Sequence, residues 1–417
     1  MMNGLKKLWK TLGSGLVAGG SDNDASAILT YSISGARFGF SQLWSVVFIL
    51  PVMVAVQEMS ARIGALSGCG LAGNMKRHYP LWLLAFVAVI IVGVNIFNLG
   101  ANIYGMAGAL NLLLPIRVEI LAVIVSVMVL LMTVLLKYHH LVRVFKWVAL
   151  SLGVYMLAFF AVDAPWRDIL RHAFIPSVSL NKEFLLVLFA VVGTTLSPYL
   201  YFWQASEEAD EIRQGNPRIQ VCRFRTVPPK KLGAIEFDTA FGMIFSNVIS
   251  FFVIALTGAT LFSAGGSGIE TLRAAADALR PFLGDYAYLL FTAGIVGSGI
   301  LAIPVLAGSA AYVLAEVFNW RGSLDHQFGE AREFYVVLIL ATAAGLTIPF
   351  LGIDPVRALF YTAVLNGFVA PLLILFIINM ANNPKIVGSL VSRPIVNALA
   401  YLGFFIMTAG ALFVLIA

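Results

Sequence analysis

Residues 13–36 read GSGLVAGGSDNDASAILTYSISGA, and the place of Asp22 and Asp24 within them decides how the rest of the chain is read. The stretch sits where a first membrane span belongs, yet its centre holds Asp22, Asn23 and Asp24 among glycines and small residues, where a lipid-facing helix would be apolar throughout. A carboxylate at membrane depth costs roughly 2.5–3.5 kcal/mol on insertion scales, so two within one turn mark a functional site. A continuous helix would point them to different sides. An unwound segment aims both, with local carbonyls, at one cation. The competing account is a pair of acids stabilised by the dipole of a half-helix that begins near Ala27. Asn23 and Ser26 either add oxygen ligands or cap the break.

Composition places this stretch in a membrane. Sixty per cent of the 417 residues are hydrophobic and 12% are charged, with a mean hydropathy of +0.91. That describes a polytopic all-α membrane protein and excludes an ordinary soluble enzyme. The basic start, MMNGLKKLWKTLG, resembles the head of a signal peptide, but the run behind it carries Asp22 and Asp24 and has no convincing small-residue cleavage site, so it is expected to stay.

A span needs ~20 apolar residues. Eleven stretches qualify or nearly do, at about 13–36, 42–63, 81–105, 117–137, 141–162, 184–205, 238–262, 285–316, 334–351, 356–380 and 394–416. With a cytoplasmic N-terminus, 19 of the 27 Lys and Arg fall on the inner side: Lys6, Lys7, Lys10, Arg62, Lys76, Arg77, Lys137, Arg143, Lys146, those from Arg213 to Lys231, Arg321, Arg332, Lys385 and Arg393. This satisfies the positive-inside rule and sets the C-terminus outside. The net charge of +6 thus reflects orientation in a bilayer, and nucleic acid is not expected as a partner. Cys69 and Cys222 fall in or near cytoplasmic loops, where a disulfide is not expected.

Five spans is an odd number, so a second set of five must enter the membrane in the opposite orientation, which is the inverted-repeat plan of secondary transporters. Residues 1–163 are the expected first repeat, 164–383 the second, and 384–417 an added eleventh span. The plan requires the sixth span to be broken like the first. LLVLFAVVGTTLSPYLYFWQA carries Gly193, Thr194, Thr195, Ser197 and Pro198 at its centre. Proline removes a backbone donor and clashes with the preceding turn, and unwound backbone at membrane depth is tolerated only where it lines a protein cavity. The hydroxyls of Thr194, Thr195 and Ser197 either face an ion or satisfy the backbone beside Pro198. Gln204 and Glu207, further along, either form an inner vestibule or make a polar helix end at the cytoplasm, and the second is the expected account.

Asn95, Asn98 and Asn102 share one face of the third span and either line a path or bond neighbouring helices. In the eighth span, small residues suit tight packing and Pro304 is a candidate kink. The five histidines (His78, His139, His140, His172 and His326) lie in loops or at span ends, which leaves no buried histidine as a proton switch. HExxH, phosphate-loop and serine-elbow motifs are absent from the sequence, so catalysis is not expected.

Taken together, GSGLVAGGSDNDASAILTYS, QEMSARIGALSGCGLAG, GTTLSPYLYFWQASEEADE and IPVLAGSAAYVLAE make the chain resemble the Nramp family of divalent-metal transporters over nearly its whole length. It looks most like the divergent branch associated with magnesium. The resemblance implies a LeuT-like fold with a metal site between broken spans one and six. The family's DPGN motif falls on Asp24, Ala25, Ser26 and Ala27, so the metal-binding aspartate is kept and the asparagine ligand is lost. The metal-binding methionine falls on Ser197, the histidine after the proline on Tyr199, and a second histidine on Gln204. The acids of the third span fall among Asn98, Ala101 and Asn102. Carboxylate, hydroxyl and water suit Mg²⁺ and Mn²⁺ better than the softer transition metals, and Mg²⁺ keeps much of its water.

These departures imply Mg²⁺, and with it Mn²⁺, as transported substrate rather than resident cofactor. They also imply uptake without a coupled proton, by a monomer in the lipid bilayer. The implied ligand set is Asp24 with Asp22, Asn23, Ser26, Thr194, Thr195 and Ser197. A proton-coupled Mn²⁺/Fe²⁺ transporter and a metal-binding, channel-like protein are the alternatives.

Overall fold

The computed structural model describes residues 13–135, 147–148, 152–214, 222, 224, 226–263, 265, 269, 271–277, 279–280, 284 and 286–416. Lys6, Lys7, Lys10, Lys137, His139, His140, Arg143, Lys146, Arg218, Arg223 and Arg225, together with residues 141–146 and 149–151 of the fifth expected span, lie outside them. Among the described residues, nine helical segments are long and apolar enough to cross a membrane. To these the broken first span adds α1 (Ser14–Asp22) and α2 (Ala25–Phe38).

The next elements are α3 (Leu43–Ser67), α4 (Leu71–His78), α5 (Leu81–Asn111) and α6 (Val118–Leu135). α7 (Val154–Phe160) is a helix within the described part of the fifth span, and α8 (Trp166–Phe174) is a short helix in the loop that follows. The sixth span is broken into α9 (Lys182–Thr195) and α10 (Pro198–Gln214), as the plan required. After it come α11 (Pro229–Thr257), which runs on as a π turn to Phe262, and α12 (Leu272–Asp277). α13 (Tyr286–Phe318) keeps Pro304 within one helix. α14 (Arg332–Gly345), α15 (Pro355–Ala381), α16 (Pro384–Val387) and α17 (Pro394–Ile416) complete the chain.

Burial ranks the helices. In their most apolar 18-residue windows, 83% of the broken sixth span is buried against 33% for Val118–Leu135 and 22% for Pro394–Ile416. The polar, interrupted segments are thus the centre of the bundle, and the most uniformly apolar helices face outward, as lipid requires. α1 reaches that centre because it lacks side chains on one face. A Cβ on Gly15 would collide with the Asp238–Thr239 backbone, and one on Gly19 with Gly242 of α11. Small residues four apart let two helix backbones meet, where dispersion and close polar contact replace the missing hydrophobic drive.

Two expectations are corrected here. Cys69 and Cys222 are joined by a disulfide, with Cα atoms 4.9 Å apart. Compartment rules say which side of a membrane a cysteine faces; they do not see that the loops after spans two and six converge. The second correction concerns α10, whose polar residues from Gln204 to Asp210 are packed inside the protein instead of solvated. Gln204, Glu207, Glu208 and Asp210 are all buried, because α10 packs along α3 and α13. Gln204 accepts from Gln57 at 2.6 Å and donates to Thr239 at 2.7 Å. The Tyr312 hydroxyl sits 2.8 Å from Glu207 Oε1 and 2.9 Å from Asp210 Oδ2.

Candidate functional site

The first break is two residues long. α1 ends at Asp22, Asn23 turns the chain with φ −87° and ψ 51°, and Asp24, extended at φ −67° and ψ 176°, begins α2. Aspartate is a preferred residue at a helix N-cap because its oxygen accepts from the orphan N–H groups of the first turn. Asp24 Oδ1 accepts from the Ala27 N–H at 2.8 Å and from the Ser26 hydroxyl at 2.6 Å. Asp24 Oδ2 accepts from Asn102 Nδ2 at 2.9 Å. The capping account of Asp24 therefore holds, and it does not exhaust the carboxylate: two oxygens offer about four lone-pair sites, of which three are taken.

Asp22 is less encumbered. Its Oδ2 accepts from the Ser246 hydroxyl of α11 at 2.6 Å, while its Oδ1, fully buried, has no hydrogen-bond partner among the described residues. Ser246 also accepts from Asn23 Nδ2 at 2.9 Å, and Ser250 donates to Asn23 Oδ1 at 3.3 Å. Asn23 is thereby turned onto α11.

The second break faces the first. Leu196, at φ −101° and ψ 59°, ends α9, and Pro198 opens α10, where its missing N–H costs nothing. Thr195 Oγ1 donates back to Val191 O at 2.8 Å and accepts from the Tyr31 hydroxyl at 3.0 Å. Ser197 donates to Thr194 O, and its side chain also lies against Asp22. Tyr199 donates to Ser21 O at 2.8 Å, satisfying a carbonyl that the end of α1 leaves over.

Asp22, Asn23, Asp24 and Ser26 therefore gather at one break and Thr194, Thr195 and Ser197 at the other, with Tyr31 and Tyr199 joining the two. Asp22 and Asp24 are 1% and 2% exposed, so the site is closed to both faces of the bundle. Their hydrogen-bond partners among the described residues are hydroxyls, an amide and a backbone N–H, none of them basic. No group of three or more His, Cys, Asp or Glu side chains is placed to hold a metal among the described residues. Any further donors at the breaks are hydroxyl, amide and carbonyl oxygens.

Sequence reasoning named Asn102 without its role and missed Ser246 and Ser250 altogether. Their signal is a stripe of small and polar residues on one face of α11, Thr239, Gly242, Ser246 and Ser250, which is the face that α1 needs.

One end of the bundle is held by polar contacts. Ser14 donates to Glu208 at 2.5 Å and the Gly15 N–H to Asp238 at 2.8 Å, which fastens the start of α1 to α10 and α11. Glu316 of α13 accepts from the Gly70 and Gly73 N–H groups at 2.9 and 2.8 Å, capping α4.

The profile of the family described as "Natural resistance-associated macrophage protein-like", Nramp, matches residues 15–417. The chain is similar to a divalent metal cation transporter MntH of Caldanaerobacter subterraneus subsp. tengcongensis, with 23% identity over 400 residues, 94% of this chain and 89% of that one. A protein of the same description from Mycobacterium tuberculosis is 24% identical over 391 residues, covering 92% of this chain and 86% of its own. Among solved structures, a manganese transporter of Eremococcus coleocola superposes with a TM-score of 0.75 at 15% identity, over 97% of this chain and 86% of that one. A Na⁺-coupled sialic acid symporter superposes at 0.60 and 14% identity, over 97% and 89%. The structural likenesses speak for the fold, which is the LeuT-like arrangement expected from the sequence.

Proposed function

The chain belongs to the Nramp family, and from that premise we propose that it is an alternating-access transporter admitting Mg²⁺, and Mn²⁺ with it, to the cytoplasm without a coupled proton. The observation that carries the proposal is the pair Asp22 and Asp24, buried between two facing helix breaks with no basic hydrogen-bond partner among the described residues. Two acids in that setting suit a cation. Asp24 is the central ligand, and Asp22 turns its free Oδ1 toward the same ion. Asn23, Ser26, Thr194, Thr195 and Ser197 complete the polar wall. Hard oxygen donors and few of them favour an ion that retains water.

Asn98 and Asn102 stand where a proton-carrying side chain would be needed, and an amide does not carry one. Influx of a divalent cation gains ~4.6 kcal/mol per 100 mV of membrane potential, twice the unit-charge figure, so the potential suffices as a drive. In this proposal the N-terminus is cytoplasmic, the C-terminus is outside and the protein works as a monomer.

The names of the relatives favour a second reading, a carrier of Mn²⁺, to which the resemblance to mainstream members of the family adds a coupled proton. Flux into proteoliposomes separates the two. Mg²⁺ entry that Mn²⁺ competes with, lost in Asp24→Ala and unaccompanied by a change of lumenal pH, is the expected result. Mn²⁺ entry with lumenal acidification and no Mg²⁺ entry supports the second.

A further inference from the structure

Asn95 is the odd member of the third-span asparagines. All three are essentially buried, at 1%, 0% and 0% exposure for Asn95, Asn98 and Asn102. Asn102 is fully engaged with Asp24, with the Ala25 N–H and with Asn98 O. Asn98 donates to Asn366 Oδ1 of α15 at 2.9 Å, but its own Oδ1 has no partner among the described residues. Asn95 has none at either Oδ1 or Nδ2.

A carboxamide with both ends unmatched inside a helix bundle is not a packing residue. A leucine of similar size would fill the space without a desolvation penalty, and buried polar groups are otherwise paired with protein or with water. The three amides lie on one face of α5 at spacings of three and four, and they cover seven residues, roughly 10 Å along the helix axis. Asn102 bonds Asp24 and Asn98, and Asn98 bonds Asn366, while Asn95 lies about one turn further along the same face of α5.

We propose that Asn95, Asn98 and Asn366 form an uncharged, water-binding station on the route of the divalent cation between Asp24 and the N-terminal end of α5, where they hold the ion through its hydration shell. The station rests on the transport function proposed above. Amides suit the task. Their oxygens accept from the strongly polarised waters of a divalent ion, and without a formal charge they do not trap it. They carry no proton, so passage leaves their charge unchanged.

The test compares the full chain with Asn95→Leu and Asn95→Asp in proteoliposomes. Asn95→Leu is expected to slow Mg²⁺ influx at saturating Mg²⁺ at least five-fold, with equilibrium Mg²⁺ affinity shifted less than two-fold. Asn95→Asp, which keeps a water-binding oxygen but adds the charge that would trap the ion, is also expected to slow influx more than two-fold, with tighter equilibrium Mg²⁺ binding. An Asn95→Leu protein that transports at the parent rate and melts at higher temperature overturns the station, because that is the behaviour of a dry, mispaired amide.

Should Asn95→Leu fail to fold, Asn95→Cys decides. A small cationic methanethiosulfonate is expected to modify the new thiol from the aqueous phase, at least three-fold more slowly in saturating Mg²⁺. Absence of modification, or modification indifferent to Mg²⁺, overturns the proposal. A parent that moves no Mg²⁺ while Asn95→Cys is still modified and protected by Mg²⁺ sinks the transport function and leaves the binding station standing.

Discussion

Asn102 holds Asp24 at two points: its Nδ2 donates to Asp24 Oδ2 at 2.9 Å, and its Oδ1 accepts from the Ala25 N–H at 2.9 Å. One side chain on the third span thus fixes both the carboxylate and the backbone that follows it. The clamp fixes the direction in which a cap residue would also present a lone pair to the proposed ion. Ser26, Ala27 and Asn102 leave Asp24 little freedom to turn.

Asn102→Ala should lower thermal stability by about 1–3 kcal/mol, the range for leaving a buried group unsatisfied, because the Ala25 N–H loses its acceptor. Asn102→Asp makes the sharper test. Two carboxylates in one buried site share a proton at neutral pH, which Mg²⁺ must displace. Calorimetric enthalpies for this variant should vary with the ionisation enthalpy of the buffer more steeply than those of the parent, whose Asp22 and Asp24 already form one buried pair. Equal behaviour in all buffers would place the ion away from Asp24.

Ser246 makes a parallel case from the seventh span. Its hydroxyl donates to Asp22 and accepts from Asn23, so Ser246→Ala releases both residues of the break. Loss of a group that orients a metal-binding carboxylate typically lowers affinity 10–100-fold. The expected result is a rise in the Mg²⁺ dissociation constant of about ten-fold, with Ser246→Thr close to the parent. An unchanged constant in Ser246→Ala would remove Asp22 from the ion's surroundings.

The broken helices were legible because their signals are local. Asp22 and Asp24 are too costly for lipid, and Pro198 cannot sit inside a helix without loss of a hydrogen bond. Their meeting followed from counting five spans. What stayed hidden depends on distant segments converging. Nothing near Gln204 or Glu207 announces Gln57, Thr239 or Tyr312 as partners, so a polar helix end looked solvated when it is buried. The same is true of Cys69 and Cys222, which are 153 residues apart, and of Ser246, a lone serine until Gly242 beside it brings α1 close.

Gly19 tests that close approach. A side chain there would overlap the Gly242 backbone, which cannot swing aside as a side chain can. Gly19→Val should destabilise the protein by about 1–3 kcal/mol, the usual cost of overpacking, and displace the Asp22 end of α1 from Ser246. Thermal melts in detergent and Mg²⁺ titration should both report it. A variant with parent stability and parent affinity would mean that α1 does not rest on α11 at this depth.

The disulfide joins orientation to stability. Cys69 follows the second span, two residues before α4, and Cys222 lies between α10 and α11, where its carbonyl accepts from Arg77 of α4. The bond joins residues 153 apart and so restricts the unfolded chain, and removing a bridge typically costs about 2–4 kcal/mol. Cys69→Ser should therefore melt lower than the oxidised parent, and reductant should lower the melt of the parent alone. The proposed orientation puts both sulfurs on the cytoplasmic side, where thiols are kept reduced. Alkylation of intact cells before lysis should then label both cysteines, and the bond should form afterwards when purified protein meets a small-molecule disulfide. A bond already complete in cells would reverse the orientation, because it would place this end of the bundle on the oxidising side.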